Sequence, residues 1–312
     1  MKNYRFLYGP VPSRRLGRSL GVDLIPYKYC TFDCIYCQLG KTTNKTVTRD
    51  RYISPEEILN EIKRFLNEET FPIDYISLSG SGEPTLNSGI REVIEGIKRI
   101  TKIPVAVITN SSLIYLDEVK KDVFNADLVL PSLDAVSLNI FNKINRPNKE
   151  LSLNKIIEGL IEFRKIYKGI IWLEILFCKG INDREDEISN MIEVVEKINP
   201  DKIHLNTVIR PPTEKWAKPV SHDEMEKIRA LFGSKASIIS EFDRHHLDII
   251  ETNIEKEILR ILERRPLSLV DISKLIGISP ELLKKIIDPL IYNGKIEESN
   301  FGGSLFYEIK RK

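Results

Sequence analysis

Cys30-Thr31-Phe32-Asp33-Cys34-Ile35-Tyr36-Cys37 contains three of the chain's four cysteines, in the spacing C-x3-C-x2-C. The stretch follows a strand-like run at 19–25. Thiolates this close in sequence can bind one metal centre when the backbone wraps around it as a loop. Cysteine thiolates hold iron–sulfur clusters, and a cubane cluster commonly takes four of them. Three cysteines would leave one iron open to an exogenous ligand, as catalytic metal sites keep an open position and structural sites do not.

Two plainer interpretations of these cysteines are weaker. A structural zinc site needs four ligands, and no histidine is near the loop in sequence, since the four histidines are His204, His222, His245 and His246. A disulfide framework is typical of short secreted chains and not of a chain without a secretory signal. Zinc or a purely structural use therefore remains the minor alternative.

The spacing of the three cysteines, with the aromatic Tyr36 before the last one, resembles the cluster loop of the radical S-adenosylmethionine (SAM) superfamily. The resemblance implies that Cys30, Cys34 and Cys37 hold a [4Fe-4S] cluster whose fourth iron is chelated by the amino and carboxylate groups of SAM. It implies reductive cleavage of SAM to methionine and a 5′-deoxyadenosyl radical, which abstracts hydrogen from a substrate. It also implies an external one-electron donor, flavodoxin or ferredoxin.

Size and composition suit an enzyme of this kind. The 312 residues are 42% apolar, which is enough for a large α/β domain with a small appendage. The net charge of +2 gives no electrostatic argument for a nucleic-acid partner. The first residues lack the apolar core of a signal peptide, and no run approaches the roughly 20 apolar residues that span a bilayer. We expect a cytoplasmic protein without a membrane partner.

Strand-like and helical segments alternate from Ser19 to about residue 208. Such alternation predicts right-handed βαβ units and a parallel sheet. Six strands are too few to close an eight-stranded barrel. We therefore expect an α/β fold in which residues 1–240 form a partial (β/α)6 barrel, which is also the fold that the resemblance implies.

The Gly- and Pro-rich residues 4–18 are interpreted as a loop in which three arginines, Arg14, Arg15 and Arg18, lie within five residues. Together with the cysteine loop, the run Tyr8 to Gly17 is similar to a radical SAM subgroup related to the tRNA wyosine synthases. Those synthases have a second trio of cysteines, whereas this chain retains only Cys178 beyond its first three. The difference argues against a direct transfer of the wyosine activity.

Polar or glycine residues follow several predicted strands, where ligands bind in folds of this class. The sequence Gly80-Ser81-Gly82-Glu83-Pro84 resembles the Gly-Gly-Glu-Pro signature of the family. The resemblance implies that this loop holds the amino group of SAM, so Gly80, Gly82, Glu83 and Pro84 are expected to bind the cofactor. Asn110 and Asp134, after two further strands, are expected to hold its ribose or carboxylate, although helix capping is the alternative. Tyr36 is expected to lie against the cofactor as well.

Four further residues have two open interpretations. Arg146 either meets a carboxylate or lies in a surface loop. Cys178 is expected in the core, and the alternative is a thiol hydrogen donor or a neighbour of the cluster. His245 and His246 could bind a metal, but a surface or linker position is expected, because adjacent residues of a strand point to opposite faces.

Residues 241–312 have a different pattern, with three helices followed by a hairpin, which resembles a winged helix-turn-helix domain. Residues 251–312 hold 11 Lys and Arg against 10 Asp and Glu, a balance of +1. DNA-binding modules depend on phosphate neutralisation, so this charge favours protein docking or substrate presentation.

The sequence thus predicts a radical SAM oxidoreductase or transferase. Its substrate is open between an RNA base, a peptide or protein side chain, and a cofactor precursor. The alternative is an iron–sulfur redox sensor that regulates transcription through the winged helix. Such a sensor would need neither the loop 80–84 nor an open cofactor site.

Overall fold

A computed structural model describes residues 4–13, 15–69, 72–239, 254–262, 265–276 and 278–310. Within these residues the strands are β1 (Leu7–Ser13), β2 (Gly17–Val22), β3 (Tyr29–Cys30), β4 (Asn44–Lys45), β5 (Tyr75–Leu78), β6 (Val105–Thr109), β7 (Leu128–Pro131), β8 (Ile170–Phe177), β9 (Lys202–Thr207), β10 (Ala236–Ile238), β11 (Leu267–Ser268), β12 (Ile296–Phe301) and β13 (Ser304–Ile309). The helices are α1 (Pro55–Glu68), α2 (Ile90–Ile100), α3 (Asp117–Val123), α4 (Leu138–Ile144), α5 (Leu153–Ile166), α6 (Glu185–Ile198), α7 (His222–Phe232), α8 (Ile254–Leu262), α9 (Leu269–Ile276) and α10 (Pro280–Tyr292).

The main sheet has the strand order β1-β2-β5-β6-β7-β8-β9-β10. Every neighbouring pair is parallel except β1 with β2. The six parallel strands expected from Ser19 onward are β2 and β5 to β9. The α/β fold with a mostly parallel sheet is therefore confirmed.

The expectation of a loop at residues 4–18 is wrong, because residues 7–13 form β1 and residue 17 begins β2. Its prolines led to the error, since proline cannot donate to a ladder of hydrogen bonds. β1 is an edge strand, where proline is tolerated. The short strand β10 at the opposite edge was also not anticipated.

The helices pack an apolar face against the sheet. In α1, Ile58, Ile62 and Phe65 recur at helical spacing and are almost completely buried. Pro55 occupies the first turn, where its missing N–H has no partner to lose, and the Ser54 side chain makes no capping hydrogen bond. Each fully buried apolar side chain of this size contributes about 1.5–3 kcal/mol to stability.

The C-terminal residues form a separate small core. Helices α8, α9 and α10 pack on a three-stranded antiparallel sheet of order β11-β13-β12, around residues that include Ile258, Ile272, Leu283 and Ile287. The expected helices and the hairpin are present. The expected domain boundary at 240/241 and the pair His245–His246 lie outside the described residues. No helix in the described part of the chain is both long and apolar enough to cross a membrane.

Candidate cofactor site

The cysteine loop leaves the sheet after β2 and is closed at its base by the pairing of β3 with β4. Within it, the Cys37 N–H donates to the Cys34 carbonyl at 3.1 Å, which forms a tight turn between the last two cysteines. The segment after β9 holds the C-terminal end of the cysteine loop, because the Thr213 N–H donates to the Cys37 carbonyl at 3.0 Å. The three cysteines are half-buried free thiols. The loop thus presents them from a fixed backbone.

Each of the three sulfur atoms accepts one hydrogen bond from a side chain outside the C-x3-C-x2-C stretch. The pairs are Asn110 Nδ2 to Cys30 Sγ at 3.5 Å, Asn145 Nδ2 to Cys34 Sγ at 3.5 Å, and Lys28 Nζ to Cys37 Sγ at 3.2 Å. Hydrogen bonds to the sulfurs are among the features that tune iron–sulfur clusters. The donors come from three separate parts of the chain, so the fold as a whole shapes this environment.

Burial makes bare thiolates unfavourable at this site. It raises the pKa of Cys30 to about 12, with a further contribution from the negative charge of Glu83. It also raises the pKa of Cys34 well above the ordinary value, and Asp134 adds to the effect. Thiolates here need a cationic partner, which iron supplies. Within the described residues no three His, Cys, Asp or Glu side chains converge on a single metal ion. Three soft thiolates, each with an N–H donor, fit an iron–sulfur cluster in their chemistry.

A buried carboxylate connects the cysteine loop to the end of β7. Asp134 Oδ2 accepts hydrogen bonds from the Tyr36 hydroxyl and from Asn145 Nδ2, the latter at 2.8 Å. Its Oδ1 accepts from the Leu176 N–H at 3.0 Å. Burial raises the pKa of Asp134, and these donors oppose the rise. Asp134 therefore fixes Tyr36 and also Asn145, the donor to Cys34, so its first visible role is to position the cysteine loop.

The loop at 80–84 packs directly on the start of the cysteine loop. The Lys28 N–H donates to the Ser81 carbonyl at 2.7 Å, and the Glu83 N–H donates to the Tyr29 carbonyl at 3.2 Å. A Cβ atom on Gly82 would collide with the Tyr29 carbonyl oxygen, so glycine is required for this close approach. Two motifs about 50 residues apart in sequence are thereby joined backbone to backbone.

Two carboxylates, those of Asp23 and Glu83, fix the conformation of the 80–84 loop. Asp23 Oδ1 accepts from the Ser81 N–H at 2.7 Å, and its carboxylate fills the space that a side chain on Gly80 would need. Gly80 has a φ of 122°, a backbone conformation that residues with a side chain rarely adopt. The loop conformation therefore depends on glycine at this position as well.

Glu83 is the second of these carboxylates and is completely enclosed. Its Oε1 accepts from Thr85 N, Thr85 Oγ1 and Thr109 Oγ1, at 3.0, 2.6 and 2.6 Å. Its Oε2 accepts from the Asn110 N–H at 2.7 Å. Burial raises the pKa of Glu83, and the four donors oppose it. Glu83 thus ties the 80–84 loop to the end of β6.

The structure therefore brings all ten predicted site residues into one region at the carboxyl ends of β2, β5, β6 and β7. Pro84 is buried in a single 3₁₀ turn, Pro84–Leu86. The Asn110 side chain contacts Thr31 as well as Cys30, donating to Thr31 Oγ1 at 2.8 Å. Direct contact of these residues with SAM remains a prediction.

Sequence reasoning missed Lys28, Asp23 and Asn145. Lys28 lies two residues before the cysteine motif but is not part of it, and its contact with Cys37 depends on how the loop folds. Asp23 follows the buried part of β2, and a carboxylate at the end of a strand was a usable signal. Asn145 caps the end of α4, a helix that the sequence reading did not include.

The remaining candidates are accounted for by protein contacts. Arg146 meets a carboxylate of the protein, Glu214, at 2.5 Å. Cys178 is completely buried in the main core, and burial raises the pKa of its thiol. The preferred interpretation of Cys178 as a core residue agrees with its position.

A cavity of about 920 Å³ lies beside the cysteine loop. Its lining includes Cys37, Gln38 and Lys41 from the cysteine loop, Pro212 after β9, and Glu298 and Phe301 of β12. The C-terminal sheet therefore contributes a wall to the space next to the third cysteine.

Comparisons with known proteins identify the family of the chain. Residues 24–192 match the family described as Radical SAM superfamily. A Brachyspira hyodysenteriae protein named "GTPase Obg" is 42% identical over 317 residues, which cover 97% of this chain and 45% of that protein. A "UPF0026 protein" of Methanocaldococcus jannaschii is 39% identical over 308 residues, which cover 96% of this chain and 94% of that protein.

Among solved structures, that of TYW1 with a lysine-pyruvate adduct bound has a TM-score of 0.53 and 21% identity, covering 72% of this chain and 75% of that one. This likeness concerns the fold alone. The family match covers more than half of the chain and includes all three clustered cysteines and the 80–84 loop. The chain therefore belongs to the radical SAM superfamily.

Proposed function

We propose that this protein is an enzyme that cleaves SAM reductively and uses the 5′-deoxyadenosyl radical to abstract hydrogen from a substrate. One observation carries the proposal: three thiols, each with a hydrogen-bond donor on its sulfur, lie on a loop that is bonded through its backbone to Gly80–Pro84. An electron-transfer or structural cluster would not need that second loop.

In this proposal Cys30, Cys34 and Cys37 hold a [4Fe-4S] cluster. When bound, the cluster supplies the single electron that SAM cleavage requires, and an external flavodoxin or ferredoxin replenishes it. The protein's own part is to orient the cofactor and keep water away from the radical. The buried lining of the site, with Ile35, Thr31 and Ser112 almost inaccessible to solvent, suits that role.

The backbone of residues 80–84 is the proposed grip on the amino group of SAM. Gly80 and Gly82 keep this backbone free of side chains. The carboxylates of Glu83 and Asp134 are already engaged by protein donors, so we propose that they hold the binding groups in place. Asn110 and Tyr36 lie next to the cysteines and complete the proposed cofactor contacts.

The substrate class is proposed from the C-terminal residues. We propose that residues 241–312 form a winged-helix-like module that presents a macromolecular substrate, RNA or protein, at the cavity beside Cys37. Support comes from the wall that β12 contributes to this cavity. A small cofactor precursor is the remaining candidate. The redox-sensor alternative is not favoured, because it leaves the 80–84 loop without a use.

The test is SAM cleavage by the anaerobically reconstituted and dithionite-reduced protein, followed by measurement of 5′-deoxyadenosine. We expect product from the wild type and none from Cys34→Ala, with Cys178→Ala as the matched cysteine control that retains activity. A wild-type protein with a full cluster that neither forms product nor changes its spectrum with SAM would contradict the proposal.

A further inference from the structure

Lys28 is a buried lysine directly beside the cysteine loop. Only 2% of its surface is exposed, and its Nζ donates to Cys37 Sγ at 3.2 Å. Both backbone polar groups are also engaged: the N–H donates to the Ser81 carbonyl at 2.7 Å and the carbonyl accepts from the Asn44 N–H at 3.2 Å. The backbone of Lys28 is therefore held by the chain segments on either side of it, and its ammonium group lies against Cys37.

The position is unfavourable for a lysine in two independent ways. Its φ is 59°, in the left-handed region where glycine or asparagine is preferred. Its charged end is also removed from water, and burying a charge costs free energy unless a partner compensates. Among the described contacts, the partner of the Nζ atom is the sulfur of Cys37. A thiolate with a metal cluster attached is a suitable compensating anion.

The three sulfurs differ in the charge of their donors. Cys30 and Cys34 each accept from a neutral asparagine amide at 3.5 Å, whereas Cys37 accepts from a cation at 3.2 Å. Reduction adds one electron, and so one negative charge, to a cluster. A fixed positive charge stabilises the reduced form more than the oxidised form. Net charge and hydrogen bonds to sulfur are two of the factors that set cluster potentials.

We propose that Lys28 raises the reduction potential of the cluster by holding its positive charge against Cys37, and so lets a biological donor reduce it. The inference rests on the proposed function, because it requires a cluster on the three cysteines. The electron comes from the external flavodoxin or ferredoxin, or from dithionite in the test, and no proton or bond change is involved. Lys28 does not contact the reacting atoms; it acts through Cys37 by keeping a positive charge next to that sulfur.

The experiment is a potentiometric titration of the reconstituted protein, followed by EPR of the reduced cluster, without SAM. Lys28→Met and Lys28→Gln remove the charge, and Lys28→Arg keeps it. Lys45→Met is the matched control, because Lys45 lies in the same loop region but is exposed, and its Nζ donates to the Arg146 carbonyl at 3.1 Å. Iron and sulfide content are measured for every variant.

We expect the neutral variants to have an equilibrium constant for reduction about tenfold smaller, which is a midpoint about 59 mV more negative for a one-electron couple. Lys28→Arg and Lys45→Met should keep the wild-type midpoint. Since Lys28 is buried, the difference should persist between low and high salt. This readout does not depend on turnover.

Three results would overturn the inference. The first is an unchanged midpoint in a fully loaded neutral variant. The second is an equal shift in Lys28→Arg. The third is the failure of both neutral variants to assemble a cluster while the arginine variant does, which would make Lys28 an assembly requirement. A wild type without a SAM-responsive four-iron cluster would instead refute the proposed function, so the two failures are distinguishable.

Discussion

Removal of the Tyr36 hydroxyl would test how the cysteine loop is held in place. It donates to Asp134 Oδ2, and Asp134 is buried, so Tyr36→Phe would remove one donor from a buried carboxylate without changing the ring volume. Hydrogen bonds to charged groups contribute about 1.5–3 kcal/mol. Because Asn145 and the Leu176 N–H still serve the carboxylate, we expect a loss of about 2 kcal/mol in the free energy of unfolding at pH 8.

The assay is urea unfolding of the cluster-free protein under reducing conditions. Tyr52→Phe is the matched control, because its hydroxyl donates to the Thr48 carbonyl at 2.8 Å near the surface, where water can replace it. That variant should lose about 0.5 kcal/mol. Equal losses in the two variants would refute the role assigned to Tyr36.

The pH dependence provides a second check on Tyr36. Burial raises the pKa of Asp134, and the hydrogen bond from Tyr36 lowers it in part, so Tyr36→Phe raises that pKa further. The penalty is present while Asp134 is ionised and diminishes as the pH falls through the folded-state pKa. The difference between wild type and variant should therefore be larger at pH 8 than at acidic pH. A difference independent of pH would show that the hydroxyl does not act on the carboxylate.

Three further predictions concern other parts of the fold. Gly82→Ala should abolish iron incorporation, measured by iron content, because its Cβ would strike the Tyr29 carbonyl oxygen. Gly180→Ala strains the backbone at a φ of 72° but has no atom within 4 Å of the added Cβ, so it controls for backbone strain alone and should retain iron. Burial lowers the pKa of His204 to about 4, so the unfolded state takes up a proton first as the pH falls. Between pH 6.5 and 4 the wild type should thus lose about 3 kcal/mol of unfolding free energy relative to His204→Gln. The same dependence of unfolding free energy on pH in the two proteins would contradict this. Cys178→Ser should lower the melting temperature and leave iron content unchanged, because the thiol is buried in the main core; lost iron would argue for a role at the cluster.

The sequence identified the parts of the site that are local. Cys30, Cys34 and Cys37 are recognisable because their spacing lies within eight residues, and the glycines of 80–84 because they follow a strand. The six parallel strands were predictable from alternation of apolar segments with amphipathic helices. In each case the signal is contained in a short window of the chain.

The parts that could not be predicted depend on distant neighbours. Asn145 becomes a donor to sulfur only because segments 111 residues apart meet at Cys34. Lys28 is close to Cys37 in sequence, but its backbone is held by the distant Ser81 carbonyl. Strand β1 was hidden because its prolines are acceptable only at a sheet edge, and position in a sheet is not visible in a single sequence. Glu83 and Asp134 were expected to contact the cofactor, and the protein donors that occupy them could not be foreseen.

The most direct test of the central assignment is the EPR spectrum of the dithionite-reduced, reconstituted protein before and after addition of SAM. We predict the spectrum of a reduced [4Fe-4S] cluster, with about four irons per chain, that changes when SAM is added. Cys34→Ala should lack the signal. A full four-iron signal in the wild type that SAM leaves unaltered would contradict the assignment of an open cofactor site to Cys30, Cys34 and Cys37.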